Sequence, residues 1–204
     1  MIGNSSARGL SGKVALVTGG SSGIGAATVQ ALANEGAVLV IGYHQGRERA
    51  ETLLKSLAGE GHQMLQLPLE DASAHAAAAE WMGTNFGKID VLVNSAGYTR
   101  RIAHHDLTTL DSALFNRILT ANAGGPFSIT RALMPLLRAS GDAVVVNVSS
   151  VSAFTGSGSN VAYCAAKAAL DTMTQSLARA FGPQVRFLSV SPASVDTDFV
   201  PGRD

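Results

Sequence analysis

Tyr163 and Lys167 stand four residues apart in Tyr163-Cys164-Ala165-Ala166-Lys167. That spacing puts both side chains on one face of a helix, one turn apart. A phenol titrates near pH 10, too high to exchange protons readily at neutral pH. An ammonium beside it favours phenolate and lowers that value, each unit being worth roughly 1.4 kcal/mol. The pair is therefore a candidate general acid/base, read together with Ser150 upstream. An ordinary helix carrying two amphipathic side chains shows the same pattern, so the rest of the chain must decide.

A second chemistry-bearing stretch is Thr18-Gly19-Gly20-Ser21-Ser22-Gly23-Ile24-Gly25. Glycine permits a tight turn and close backbone approach, and a following helix offers free N–H groups and partial positive charge to a pyrophosphate. An apolar run before it and helical composition after it favour a nucleotide loop over an ordinary turn. The glycines at 19, 23 and 25 do not follow the GxGxxG spacing. About 20 residues on, Gly42-Tyr43-His44-Gln45 closes a second apolar run. An acid at such a strand end would hold the ribose 2′-hydroxyl of NAD, whereas cations accept the 2′-phosphate of NADP. No acid is present, and His44, Arg47 and Arg49 lie close, so NADP(H) is expected rather than NAD(H). Arginines in a first helical turn oppose the helix dipole, which favours a ligand role over decoration.

The elements that must position these groups alternate. Lys13 to Thr18, Val38 to Ile41, Gln63 to Leu67, Ile89 to Val93, Ala143 to Val148 and Val185 to Val190 read as buried strands. Between them, Ala26 to Asn34, Arg47 to Ala58, Ser73 to Phe86, Thr109 to Arg138 and Val161 to Phe181 read as helices. Gly124-Gly125-Pro126 is expected to interrupt the fourth. Such alternation predicts an α/β fold of Rossmann type: a doubly wound parallel sheet in a three-layer α/β/α single domain, with ligands beyond the carboxyl ends of the strands. Residues 1–12 read as a polar leader and 13–204 as the NAD(P)-binding domain carrying the site.

The 204 residues are 46% hydrophobic and 15% charged, with zero net charge. Scattered basic residues predict no nucleic-acid partner, and no apolar run reaches the roughly 20 residues of a membrane span. One cysteine, Cys164, allows no internal disulfide and fits a reducing cytoplasm. No Cys/His cluster has metal spacing, so no metal site is expected. His104-His105 reads as a solvated loop.

With these residues assembled, the chain resembles the short-chain dehydrogenases/reductases over Lys13 to Thr197, and among them the 3-oxoacyl-ACP reductase-like members. Residues 18–25 match that family's TGxxxGxG loop, and Asn94-Ser95-Ala96-Gly97 its NNAG with one change. Asn122 falls at its catalytic asparagine, and Ser150 precedes the YxxxK motif by the usual thirteen residues. The resemblance implies that Tyr163 protonates the developing alkoxide and acts as base in reverse. Lys167 would lower the Tyr163 pKa and hold the nicotinamide ribose. Ser150 would steady the substrate oxygen, and Asn122 would hold a water connecting Lys167 to solvent. Cofactor contacts would come from Gly19, Ser21, Ser22, Gly23, Ile24 and Gly25, from Tyr43, His44 and Arg47, from Leu69, and from Asn94, Ala96 and Gly97. Tyr163, Lys167, Pro192, Val195 and Thr197 would complete them.

Three departures stand out. Pro192-Ala193 replaces the family's Pro-Gly, and Pro68 replaces an aspartate that contacts adenine. The sequence stops at Asp204, where members usually continue through a substrate lid and a seventh strand, so those parts are expected to lie outside it. The implied activity is hydride transfer between NADP(H) and a ketone or secondary alcohol, with 3-oxoacyl thioesters or small ketones favoured as substrates. The other reading is a catalytically silent NADP-binding sensor or scaffold of the same fold. The family's habit of pairing its long helices implies a homodimer or homotetramer.

Overall fold

The computed structural model describes residues 9–200. Six strands form one parallel sheet in the order β3-β2-β1-β4-β5-β6. They are β1 (Val14–Thr18), β2 (Val38–Tyr43), β3 (Gln63–Gln66), β4 (Val91–Asn94), β5 (Ala143–Val148) and β6 (Val185–Val190). The connecting helices are α1 (Gly23–Asn34), α2 (Arg47–Ser56), α3 (Ala72–Phe86), α4 (Ser112–Leu119), α5 (Gly125–Ser140), α6 (Ser152–Thr155) and α7 (Val161–Phe181). Every pairing is parallel, so each return along the sheet needs a crossover.

Side chains alternate across the strands and feed two cores. Val14, Leu16, Val40, Leu92, Val145 and Phe187 pack with Met82 of α3, Leu133 of α5 and Phe181 of α7. Ala15, Val17, Leu39, Ile41 and Val93 pack on the other face with Val29 of α1 and Leu53 of α2. A sheet covered on both faces explains why β1, β2 and β4 are apolar without a polar side. This is the expected doubly wound arrangement, with β5, β6 and α7 at the expected bounds.

Two details differ from expectation. The fourth helix starts at Ser112, because the Asp111 side chain accepts from the Leu114 N–H at 2.8 Å and caps it. It also does not break at Gly124-Gly125-Pro126. A π-helical turn over Thr120–Gly124 joins α4 to α5 continuously. Pro126 has no N–H for the carbonyl four residues back, at Asn122, and a turn widened by one residue accommodates that loss. The leader, for its part, lies mostly outside the described residues, but Leu10 donates its N–H to the Glu35 carbonyl at 3.0 Å.

A buried carboxylate secures the end of the sheet opposite the strand tips. Asp90, only 2% exposed, accepts from the Val14 N–H at 2.9 Å and the Ser140 hydroxyl at 2.7 Å, and pairs with Lys13 and Lys88. Burial pushes this carboxyl up, yet those hydrogen bonds together outweigh it and hold it below the ordinary value. Asp90→Ala is expected to cost about 3 kcal/mol at pH 7. Because the folded pKa is depressed, that contribution is present above pH 4 or so and fades as pH falls through the folded value. Denaturant titrations of both proteins at pH 7 and at pH 3 check the magnitude and its loss.

Candidate active site

At the strand tips the chain folds back on itself closely. Gly19 adopts φ +64°, and a Cβ there would stand 2.8 Å from the Ala96 Cα. A Cβ on Gly25 would overlap the Gly19 carbonyl oxygen. The Thr18 hydroxyl accepts from the Ser95 and Ala96 N–H groups, each at 3.1 Å, and so ties β1 to the Asn94–Gly97 stretch. Ser22 precedes α1 in extended conformation, and no side chain caps that helix. The N-terminal N–H groups beyond a cradle that side chains would fill suit a diphosphate. Thr197 lies over Gly23, its Cγ2 3.2 Å from where a Cβ would be. Ser21, Gly23, Ile24 and Thr197 are thereby brought to one edge, with Pro192 anchored by its carbonyl to the Val151 N–H at 3.0 Å. Val195 is exposed on the same segment.

Tyr43, the last residue of β2, is buried, and His44 just beyond it is exposed. Arg47 is engaged by Glu51 one turn on, at 2.8 Å. Arg49 instead turns back. Its Nη2 and the Ser21 Oγ converge on Gly46, at 2.6 and 2.8 Å from the position of a Cβ there. The cation that meets the glycine loop is therefore Arg49. At the end of β3 the Pro68 carbonyl accepts from His75 Nε2 at 2.9 Å, and His75 Nδ1 meets the Ser128 hydroxyl at 2.9 Å. His75, fully buried on α3, thus fixes the loop whose aspartate is replaced, while the Leu69 carbonyl packs toward Gly125. Burial lowers the His75 pKa, with the Pro68 carbonyl opposing.

Tyr163, Lys167, Ser150 and Asn122 converge where β4 and β5 end. Lys167, 5% exposed, donates to the Val148 carbonyl at 2.7 Å, and its Nζ lies 5.5 Å from the Tyr163 ring centroid. Burial lowers its pKa to about 8, with the Asp171 carboxylate one turn away opposing. Burial likewise pushes the Tyr163 phenol up to about 12, against a hydrogen bond with Ser150 that lowers it. The expected depression of the phenol by Lys167 is not found: burial disfavours the charged form of each group. Asn122, in the π-helical turn, donates from Nδ2 to the Tyr98 carbonyl at 2.6 Å and the Ile118 carbonyl at 2.9 Å. Its Oδ1, buried against Gly97, has no hydrogen-bond partner among the described residues.

Other residues border this convergence. Ser152 Oγ lies 3.1 Å from Ser150 Oγ and its N–H donates to that same oxygen. Phe199 stacks obliquely on Tyr163, ring centroids 5.9 Å apart, and approaches Gly97. His104 is not simply solvated, since its Nε2 meets the Gly158 carbonyl at 3.1 Å. Asn160 caps α7, its Oδ1 accepting from the Tyr163 N–H at 2.8 Å. An asparagine directly before an apolar helical run was a visible capping signal. Behind the site, Asn94 donates to Asn147 at 2.8 Å and Asn147 to Thr174 at 2.8 Å. Cys164 is a packed thiol whose pKa burial raises.

A family model described as short chain dehydrogenase matches residues 13–203. The chain is 36% identical to D-threitol dehydrogenase of Mycolicibacterium smegmatis over 192 residues, covering 93% of this chain and 72% of the relative. It is 32% identical over 191 residues to a 3-oxoacyl-[acyl-carrier-protein] reductase of Thermotoga maritima, covering 92% and 76%. Among solved structures, a short chain dehydrogenase from Burkholderia cenocepacia in complex with NADP superposes with a TM-score of 0.86 at 34% identity, covering 96% of this chain and 79% of that one. The glycine cradle, the strand order and these similarities lead to one conclusion: the chain belongs to the short-chain dehydrogenase/reductase family of oxidoreductases.

Proposed function

We propose that the protein transfers a hydride between NADP(H) and a ketone or secondary alcohol, with Tyr163 as the general acid/base. The observation that carries this reading is the convergence of Tyr163, Ser150 and Lys167 on one space beside the Asn94–Gly97 stretch. The nicotinamide, when bound, supplies or takes up the hydride. In reduction Tyr163 gives its phenolic proton to the carbonyl oxygen as negative charge grows there, and in oxidation it takes the proton back. With its pKa raised to about 12 by burial, the phenol carries its proton at neutral pH and is a weak acid until charge grows on the substrate oxygen beside it. Ser150 donates to the same oxygen, and Ser152 orients the Ser150 hydroxyl. Lys167 would hold ribose hydroxyls, and Asn122 would position a water toward solvent, its unpaired Oδ1 being free to accept.

The uncapped start of α1 and the Gly19–Gly25 cradle fit the diphosphate. Arg49, with Ser21 and His44 nearby, fits a 2′-phosphate better than Arg47, which Glu51 already holds. The loop Ser152 to Asn160, with exposed Phe154, and the segment Ser194 to Val200, with Phe199, would frame a small ketone or a 3-oxoacyl thioester. Between α5 and α7 an apolar cleft of about 510 Å³ is lined by Phe127, Met134, Pro135, Leu177 and Phe181. A homodimer or homotetramer formed across these helices would cover it. The lone buried thiol suits a reducing cytoplasm.

The reading is tested by following NADPH oxidation with ethyl acetoacetate, 4-methylcyclohexanone and dihydroxyacetone. Turnover of any of them supports it. Tight NADPH binding without turnover of any ketone supports the silent sensor instead. Tyr163→Phe is expected to lower kcat roughly 100-fold or more while the Kd for NADPH stays unchanged; a variant that keeps most of its turnover removes Tyr163 from the role. Arg49→Ala is expected to raise the Kd for NADPH about tenfold, equivalent to about 1.4 kcal/mol, and to leave NADH binding unaltered. Arg47→Ala should move neither by more than about twofold. Calorimetric titration of both variants with both nucleotides decides the assignment.

A further inference from the structure

Asn160 carries more contacts than a helix cap requires. Capping needs one acceptor for the first-turn N–H groups, and serine or aspartate serves as well as asparagine. Here Oδ1 meets the Tyr163 N–H at 2.8 Å, but the amide nitrogen is also fully engaged. Nδ2 donates to the Arg100 carbonyl at 2.7 Å and to the Thr99 hydroxyl at 3.2 Å, and the side chain is 0% exposed. Neighbouring bonds join the same two segments: Thr99 Oγ1 to Ser159 Oγ, the Ile102 N–H to the Ser159 carbonyl at 2.8 Å, and His104 to the Gly158 carbonyl. Asn122 grips the carbonyl of residue 98 while Asn160 grips that of residue 100. Two buried amides thus hold alternate carbonyls of the segment that follows β4, one from the π turn and one from the start of α7.

We propose that Asn160 is the positioning residue of Tyr163, fixing the first turn of α7 against the segment that leaves β4. Its cap sets the register of the residue bearing the phenol, and its amide donors set where that turn sits relative to Gly97 and Asn122. The proposal rests on the reading of Tyr163 as the acid/base. A loosened first turn displaces the phenol from Ser150 and from the carbonyl it must reach, and misplacement by about 1 Å costs on the order of 100-fold in rate.

Asn160→Asp and Asn160→Ser test it, since both keep an acceptor for the cap and remove the amide donors. With the ketone that the unaltered protein reduces fastest among the three above, each is expected to lose about tenfold or more in kcat. The Kd for NADPH should stay within about twofold and Tm within a few degrees. Ring-carbon NMR of 13C-tyrosine, with Tyr163 identified by its loss in Tyr163→Phe, gives a readout that needs no substrate. In both variants the phenol titration is expected to move away from that of the unaltered protein, because its contact with Ser150 and its shielding from water both change. Retention of full kcat and of the unaltered titration in Asn160→Ser overturns the proposal, even if Asn160→Asp fails to fold. A kcat loss matched by an equal loss of NADPH affinity also overturns it. Absence of turnover by the unaltered protein defeats the functional reading instead, and the titration alone then decides the role of Asn160.

Discussion

A buried ammonium sits where the fold offers it one carbonyl. Lys167 reaches the last residue of β5 and donates to Val148, and that bond fixes how α7 lies against the sheet. Tyr163, one turn earlier, is then carried over the Ser149-Ser150 corner. Taking a charge out of water is costly unless partners replace the solvent. Val148 and the more distant Asp171 do so only in part, which is why the ammonium is driven down to about 8. A group that further oxygen acceptors would help is thus held beside the candidate acid, and ribose hydroxyls are acceptors of the right kind.

The support behind this corner is polar as well. Asn94 and Asn147 occupy paired positions on β4 and β5, and their amides bond each other. Thr130 of α5 and Thr174 of α7 complete the chain. In a low-dielectric interior such a connected network admits few alternative arrangements, although Asn94 Oδ1 finds no hydrogen-bond partner among the described residues. It locks the ends of β4 and β5 to α5, which follows the π turn of Asn122, and to α7, which carries Tyr163. The apolar cores supply cohesion, while this network supplies the angle at which the strand ends meet the helices.

The fold was legible because its signals are local and repeated. Strands buried on both faces read as unbroken β-branched runs, and glycine marked their exits, so β5, β6 and α7 fell where expected. Of the candidate site, Tyr163 and Lys167 were legible by type and spacing, and Ser150 and Asn122 through the family resemblance. Their energetics were not. Spacing puts Lys167 near Tyr163 but says nothing of how little water reaches either, so a depressed phenol was expected where burial raises it. Arg47 was the expected cofactor contact, and nothing local showed that Glu51 holds it while Arg49 turns toward Ser21. Asn160 and Thr99 stand 61 residues apart, and no local pattern announces that they touch. Glycine and proline in succession read as a helix break, because the pattern cannot show that the helix widens instead.

That widened turn holds one residue more than ordinary winding needs. Each residue advances an α-helix by about 100°, so an extra residue in an unwidened helix would turn Ser128 from His75, Thr130 from Asn94 and Leu133 from the core. The π turn absorbs that residue, and α5 keeps its contacts. A single-codon deletion there would let α4 and α5 run on in register, while removing the turn from which Asn122 reaches the Tyr98 carbonyl.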